Sequence, residues 1–138
     1  MIIYQKHLTD HHFVWYKYDE KNHKLLGMGG GSYEVKNGKY HGEGVLTYPS
    51  GGKYVGQFKD GEFHGHGIYT GVDNSTYRGE WKNGKKHGQG ILTYDNDDYY
   101  EYRGQWKDDA WHGHGTLTYS DATVLEGEWA HGIQYDLE

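Results

Sequence analysis

The chain repeats itself at a short fixed spacing, and the repeat is written in glycine and aromatic residues. Tyr54-x-Gly56-x-Phe58-x-x-Gly61-x-x-His64-Gly65-x-Gly67 is followed by Tyr77-x-Gly79-x-Trp81-x-x-Gly84-x-x-His87-Gly88-x-Gly90. Tyr102-x-Gly104-x-Trp106-x-x-Asp109-x-x-His112-Gly113-x-Gly115 comes next. The unit starts at Tyr54, Tyr77, Tyr102 and Leu125 stand 23, 25 and 23 residues apart. A period of this kind specifies an array in which each unit supports its neighbours. It also means that an eye-catching histidine or glycine recurs because the unit recurs.

Within a unit the pattern alternates. Tyr77, Gly79 and Trp81 share one parity, and Arg78, Glu80 and Lys82 the other. Such alternation is a strand with one buried face. Lys82-Asn83-Gly84-Lys85 then reads as a tight turn, because Asn-Gly tolerates the positive φ that hairpins need. A second strand runs from His87 to Tyr94, so one unit is one β-hairpin. A lone hairpin is marginal in water, whereas stacked hairpins extend one sheet. Equivalent positions then form columns: Val35, Phe58, Trp81, Trp106, Trp129; Gly31, Tyr54, Tyr77, Tyr102, Leu125; and Tyr48, Gly71, Tyr94, Tyr119. Thr47, Thr70, Thr93 and Thr118 form an outward column. Gly56, Gly79, Gly104 and Gly127 sit between aromatic columns. Repeated glycine in strands predicts close approach, here of a flat ring from a neighbouring strand.

Composition agrees with an aromatic core. Of 138 residues 34% are apolar, yet fifteen are tyrosine and five tryptophan, and each ring buries about 150–250 Å². The net charge of −6 and the scattered lysines and arginines argue against nucleic acid, which needs a basic footprint. They also weigh against an anionic membrane surface. No cysteine is present, which fits a cytoplasmic protein. No signal-peptide core or membrane-spanning apolar stretch is visible. Leu137-Glu138 reads as a cloning remnant.

The ends diverge. Residues 1–30 read as an N-terminal cap hairpin, with a strand His12–Tyr18 paired across Asp19–Lys24 to Leu26–Tyr33. Residues 31–138 read as the array, with units starting near 31, 54, 77 and 102 and a half unit at 125. The last unit stops after its first strand, around Trp129, leaving an edge that a second copy can pair with. A homodimer through terminal strands is thus an expectation.

The pattern Tyr-x-Gly-x-Trp-x-x-Gly-x-x-His-Gly-x-Gly resembles the MORN repeat (membrane occupation and recognition nexus), over about residues 31–132. The resemblance implies an all-β fold: a single elongated, twisted antiparallel sheet of stacked β-hairpins with a groove along one face. It also implies a non-catalytic scaffold or adaptor that holds a helix or peptide of a partner, sometimes cytoskeletal, sometimes membrane-associated, and sometimes attached to an enzyme. Departures from the pattern are Asp109 at the turn glycine, Gly71 in a tyrosine column, an insertion within 95–101, and Gly31 and Val35 at aromatic positions.

Sites of chemistry are sparse. His64-x-His66 and His112-x-His114 place two imidazoles on one side of a strand, but zinc needs further ligands. His41, His64, His87 and His112 belong to the repeat, where an imidazole near the turn can hydrogen-bond backbone. Asp95–Glu101 has the oxygen density of a calcium loop without its glycine and spacing. Gly27–Gly31 lacks the lysine and helix of a phosphate loop. Ser32, Ser50, Ser75 and Ser120 lie in turns or connectors without a supporting base. No enzyme, cofactor or metal is therefore expected. Exposed Tyr and Trp make binding hot spots. The expected partner-binding groove is Tyr54, Phe58, Tyr77, Trp81, Tyr102 and Trp106, suited to an amphipathic helix or extended peptide. The alternative is a lipid-headgroup module using Arg78, Lys82, Lys85, Lys86, Arg103 and Lys107; a further one is the repeat segment of a larger enzyme.

Overall fold

A computed structural model describes the backbone of residues 3–9, 12–19, 24–36 and 39–135, and the side chains of residues 39–133. The strands are β1 (Ile3–Thr9), β2 (His12–Asp19), β3 (Lys24–Lys36), β4 (Lys39–Thr47), β5 (Lys53–Lys59) and β6 (Glu62–Thr70). They continue as β7 (Thr76–Lys82), β8 (Lys85–Thr93), β9 (Tyr99–Lys107), β10 (Ala110–Tyr119), β11 (Val124–Ala130) and β12 (Ile133–Tyr135). They pair antiparallel, each with the next in sequence, in one open sheet of hairpins.

The turns behave as their sequences predict. Asn83 and Gly84 both take positive φ, 51° and 79°, between the paired Lys82 and Lys85. This is the backbone twist that matches two strands in a tight hairpin. Asp108 and Asp109 adopt the same conformation, with φ 49° and 71°, although neither is glycine. Every such turn also bonds back to the preceding unit. Gly61 N donates to Tyr40 O, Gly84 N to Phe63 O, Asp109 N to Lys86 O and Gly132 N to Trp111 O, all at 2.9–3.1 Å. Register is thereby tied from hairpin to hairpin.

Two end features differ from the sequence reading. The second strand expected for the cap and the first strand expected for the array are one continuous strand. β3 pairs with β2 through Lys24–Ser32 and with β4 through Gly31–Lys36. Residue 30 therefore falls inside a strand. At the other end β11 is not the edge, because Ala130, Trp129 and Glu128 pair with Ile133, Gln134 and Tyr135 of β12. The positive φ of His131 and Gly132 supplies the turn that the sequence reading missed. The expected turn across residues 20–23 lies outside the described residues, as do Leu137 and Glu138.

Candidate functional site

The aromatic face is built by a clasp that recurs in the three units starting at Tyr54, Tyr77 and Tyr102. Gly79 pairs with Gly90 and Trp81 with Lys86, so Glu80 stands opposite His87-Gly88-Gln89 in a bulge. The bulge lets the Tyr77 ring lie flat across the second strand. Its hydroxyl donates to the Glu80 carbonyl at 2.7 Å, as Tyr54 does to Gln57 and Tyr102 to Gln105. The Glu80 carboxylate accepts from Gln89 N at 2.5 Å, and Gln57 and Gln105 do the same for His66 N and His114 N. Burial pushes the Tyr54, Tyr77 and Tyr102 hydroxyls well above the ordinary phenol range, Tyr102 to about 12, against the lowering effect of backbone bonds.

These rings explain the glycines. A Cβ on Gly90 would lie 2.3–2.6 Å from the Tyr77 ring and hydroxyl. A Cβ on Gly79 would instead meet the Gln89 carbonyl and the Gly90 Cα, both at 2.5 Å. The ring expected over the Gly79 column thus covers the partner column, and what crowds Gly79 is mainly backbone.

Between units the link is the indole. Trp81, Trp106 and Trp129 Nε1 donate to the carbonyls of Gly67, Gly90 and Gly115 at 3.1–3.2 Å. Buried indole N–H groups need such partners.

The six residues assigned to the groove from sequence form the floor of this face. Tyr54, Tyr77 and Tyr102 are 0% exposed and Phe58, Trp81 and Trp106 are 4–6% exposed, packed in one cluster with Leu117 and Trp129. They hold the sheet together and leave almost no surface for a partner. The rings that remain partly open are their neighbours Tyr40, Phe63, Tyr69, Tyr94, Trp111 and Tyr119.

Among the described side chains one position breaks the pattern. Tyr40, Phe63, Lys86 and Trp111 occupy equivalent places, opposite Val35, Phe58, Trp81 and Trp106. Phe63 stacks on Tyr54 with centroids 3.7 Å apart, and Trp111 on Tyr102 at 4.7 Å. Over Tyr77 there is an ammonium instead. Lys86 Nζ lies 5.6–5.8 Å from the ring centroids of Tyr77, Trp81 and Trp106. The signal was present in sequence: two places after the turn stand Tyr40, Phe63 and Trp111, but Lys86 in the central unit.

Two hollows adjoin at Lys86. One is lined by Tyr69, Gly71, Asp73, Ser75, Tyr77, Lys86, Leu92 and Tyr94. The other is lined by Lys86, Leu92, Tyr94, Trp106, Asp109, Ala110, Trp111 and Gly132. Gly71, Lys86 and Asp109, each a departure from its column, therefore converge on one place at the middle of the array.

The remaining sequence candidates separate. His64 Nδ1 is buried without a hydrogen-bond partner, so the backbone bond expected of that imidazole is not made through that atom. His66 is exposed, with the Gly65 bulge (φ 65°) between them, so the pair does not present one side as expected. His114 is exposed and hydrogen-bonds Glu126 at 3.0 Å and Glu128 at 3.4 Å, which raises its pKa above the ordinary value. No group of three or more metal-ligating side chains is found among the described residues. The 95–101 insertion is closed by Asn96, whose Oδ1 accepts from Asp98 N and Tyr99 N. Gly27–Gly31 lies inside β3. Of the six basic residues considered for lipid, five share one face and Lys86 stands apart. Lys86 joins the aromatic side, whereas Arg78, Lys82, Lys85, Arg103 and Lys107 project on the other, where Arg103 pairs with Glu101 at 2.9 Å.

A one-layer array of hairpins, clasped by tyrosine and joined by indoles, defines a repeat protein. The MORN repeat family model matches residues 34–53, 54–76, 77–99 and 102–124, and the chain belongs to this family. Comparison with curated proteins returned no match. MORN repeats generally form non-catalytic modules in proteins that bind other proteins or membranes.

Proposed function

We propose that the chain is a non-catalytic, cytoplasmic scaffold that holds a helix or peptide of a partner protein on its aromatic face. The six buried rings would form the floor and Tyr69, Leu92, Tyr94 and Trp111 the contact surface, with residues 1–30 capping the array. The observation that carries this reading is the convergence of Gly71, Lys86 and Asp109 on two adjoining hollows. A partner held there meets a stretch of the face, at the middle of the array, that differs from the repeat. Arg78, Lys82, Lys85, Arg103 and Lys107 share the face opposite the rings, but Glu80, Glu101, Glu126 and Glu128 lie on it too and Glu101 pairs with Arg103. This weighs against a lipid-headgroup patch, where the gain is about 1 kcal/mol per basic residue near the surface.

The test is affinity capture with matched variants whose fold is checked by circular dichroism. Tyr94→Ser on the aromatic face is expected to lose the captured partner, and Arg78→Ser on the opposite face to keep it. The reverse result, or salt-sensitive sedimentation of the parent with phosphoinositide vesicles, overturns the proposal.

A further inference from the structure

Lys86 is an ammonium placed where the units before and after it place a ring, Phe63 and Trp111. Three aromatic faces surround it, and among the described residues no carboxylate lies within ion-pair distance of it. The two carboxylates that line the adjoining hollows are already engaged: Asp73 Oδ1 accepts from Ser75 N at 3.0 Å and Asp109 Oδ1 from Lys86 N at 2.8 Å. Lys86 is only partly exposed, so its charge is less hydrated than that of a lysine at the rim. A charge in such a place discriminates strongly, because an apolar or like-charged group laid against it loses hydration without gaining a partner.

We infer that Lys86 selects the partner: the segment held on the aromatic face carries an aspartate or glutamate that pairs with Lys86, flanked on both sides by apolar side chains that fill the two hollows. The flanking requirement follows from the linings, since Leu92 and Tyr94 contribute to both hollows and Trp106 and Trp111 to the second. The carboxylate requirement follows from the absence, among the described residues, of an ion pair to the Lys86 ammonium. This inference rests on the aromatic face being the docking surface.

The experiment is selection from a random peptide display library on the purified chain and on two variants, Lys86→Phe and Lys86→Glu. Phenylalanine restores the ring column, so the first variant is expected to fold; circular dichroism checks both. The parent is expected to enrich peptides with an acidic residue between apolar ones and to prefer them over their Gln counterparts by about tenfold. Lys86→Phe is expected to abolish that preference, and Lys86→Glu to exchange it for lysine or arginine. Peptides captured in a Tyr94-dependent way without an acidic excess overturn the role of Lys86 and leave the docking face standing. Captured peptides indifferent to both Lys86 and Tyr94, or no enrichment at all, overturn both. Binding of phosphoinositide vesicles that is lost in Lys86→Glu assigns the residue to a lipid phosphate instead and also overturns the inference.

Discussion

The carboxylate of Asp109 accepts a hydrogen bond from the Lys86 backbone N–H at 2.8 Å, and the Asp109 N–H returns one to the Lys86 carbonyl at 3.1 Å. Two departures from the repeat are thus joined directly. The left-handed conformation that glycine adopts in the other turns is here held by a side chain that bonds across to the preceding hairpin. Asp109→Ala keeps the backbone cost and loses the bond, so it is expected to destabilise by about 1–2 kcal/mol. Asp109→Gly relieves the first while losing the second, and is expected within about 1 kcal/mol of the parent. Urea denaturation of the two variants checks the order.

Lys86→Phe is expected to raise stability by about 1 kcal/mol. A ring at this position would stack on Tyr77 as Phe63 does on Tyr54 and Trp111 on Tyr102. A variant that is more stable yet less selective is the usual signature of a position kept for binding rather than for folding. Thermal melting of parent and variant measures the gain.

The glycines divide by mechanism. Gly90→Ala and Gly79→Val drive a Cβ into the Tyr77 ring and into backbone respectively, and each is expected to cost about 3 kcal/mol or more through overpacking. Gly84→Ala meets nothing within 4 Å and bears only its φ of 79°, a cost of about 1 kcal/mol. Denaturation midpoints that fail to separate the first two from the third contradict the clasp.

Alkali should open the sheet. Tyr54, Tyr77 and Tyr102 have folded pKa values raised above the ordinary 10.0, chiefly by burial, and Tyr94 is pushed up to about 12 by the same cause. A raised folded pKa means the unfolded chain releases its proton first. The stabilisation is therefore complete below pH 10 and is lost as pH rises from there toward about 12. Phenolate absorbance and circular dichroism, followed together, should change in one transition. Tyrosine ionisation that runs well ahead of the loss of structure counts against the clasp.

His114 provides a control on the opposite face. Its hydrogen bonds to Glu126 and Glu128 raise its pKa above 6.5, so their contribution is present below that pH and fades as pH rises through the folded value. The imidazole titration seen by NMR should move back when both carboxylates are replaced by glutamine. Because the group is exposed and its pairs are screened by solvent, the melting temperature should hardly change.

Most of the fold was legible because alternation and the Asn83-Gly84 turn act locally. The strand pairs, the tight turns and the outward threonines follow from residues adjacent in sequence. The candidate site was less so. Tyr77 and Tyr94 are both tyrosines on one face, and nothing in their spacing says that Tyr77 lies beneath and Tyr94 above. That order is set by the bulge opposite Glu80, which pulls the Tyr77 hydroxyl down onto the Glu80 carbonyl. The continuity of β3 and the short return strand β12 were hidden for a different reason. Both depend on pairing partners at the worn ends, where the repeat no longer dictates the answer.

The indole bonds give the array a grain. Trp81, Trp106 and Trp129 each fasten their hairpin to the one before, but Phe58 has no N–H to give, so the joint between β4 and β5 goes without. Among the described side chains the array is consequently a riveted strip with one rivet left out. Pulled from its ends or warmed toward melting, it should part along that seam. The strands up to β4 would then peel away as a block while the Lys86 region stays closed.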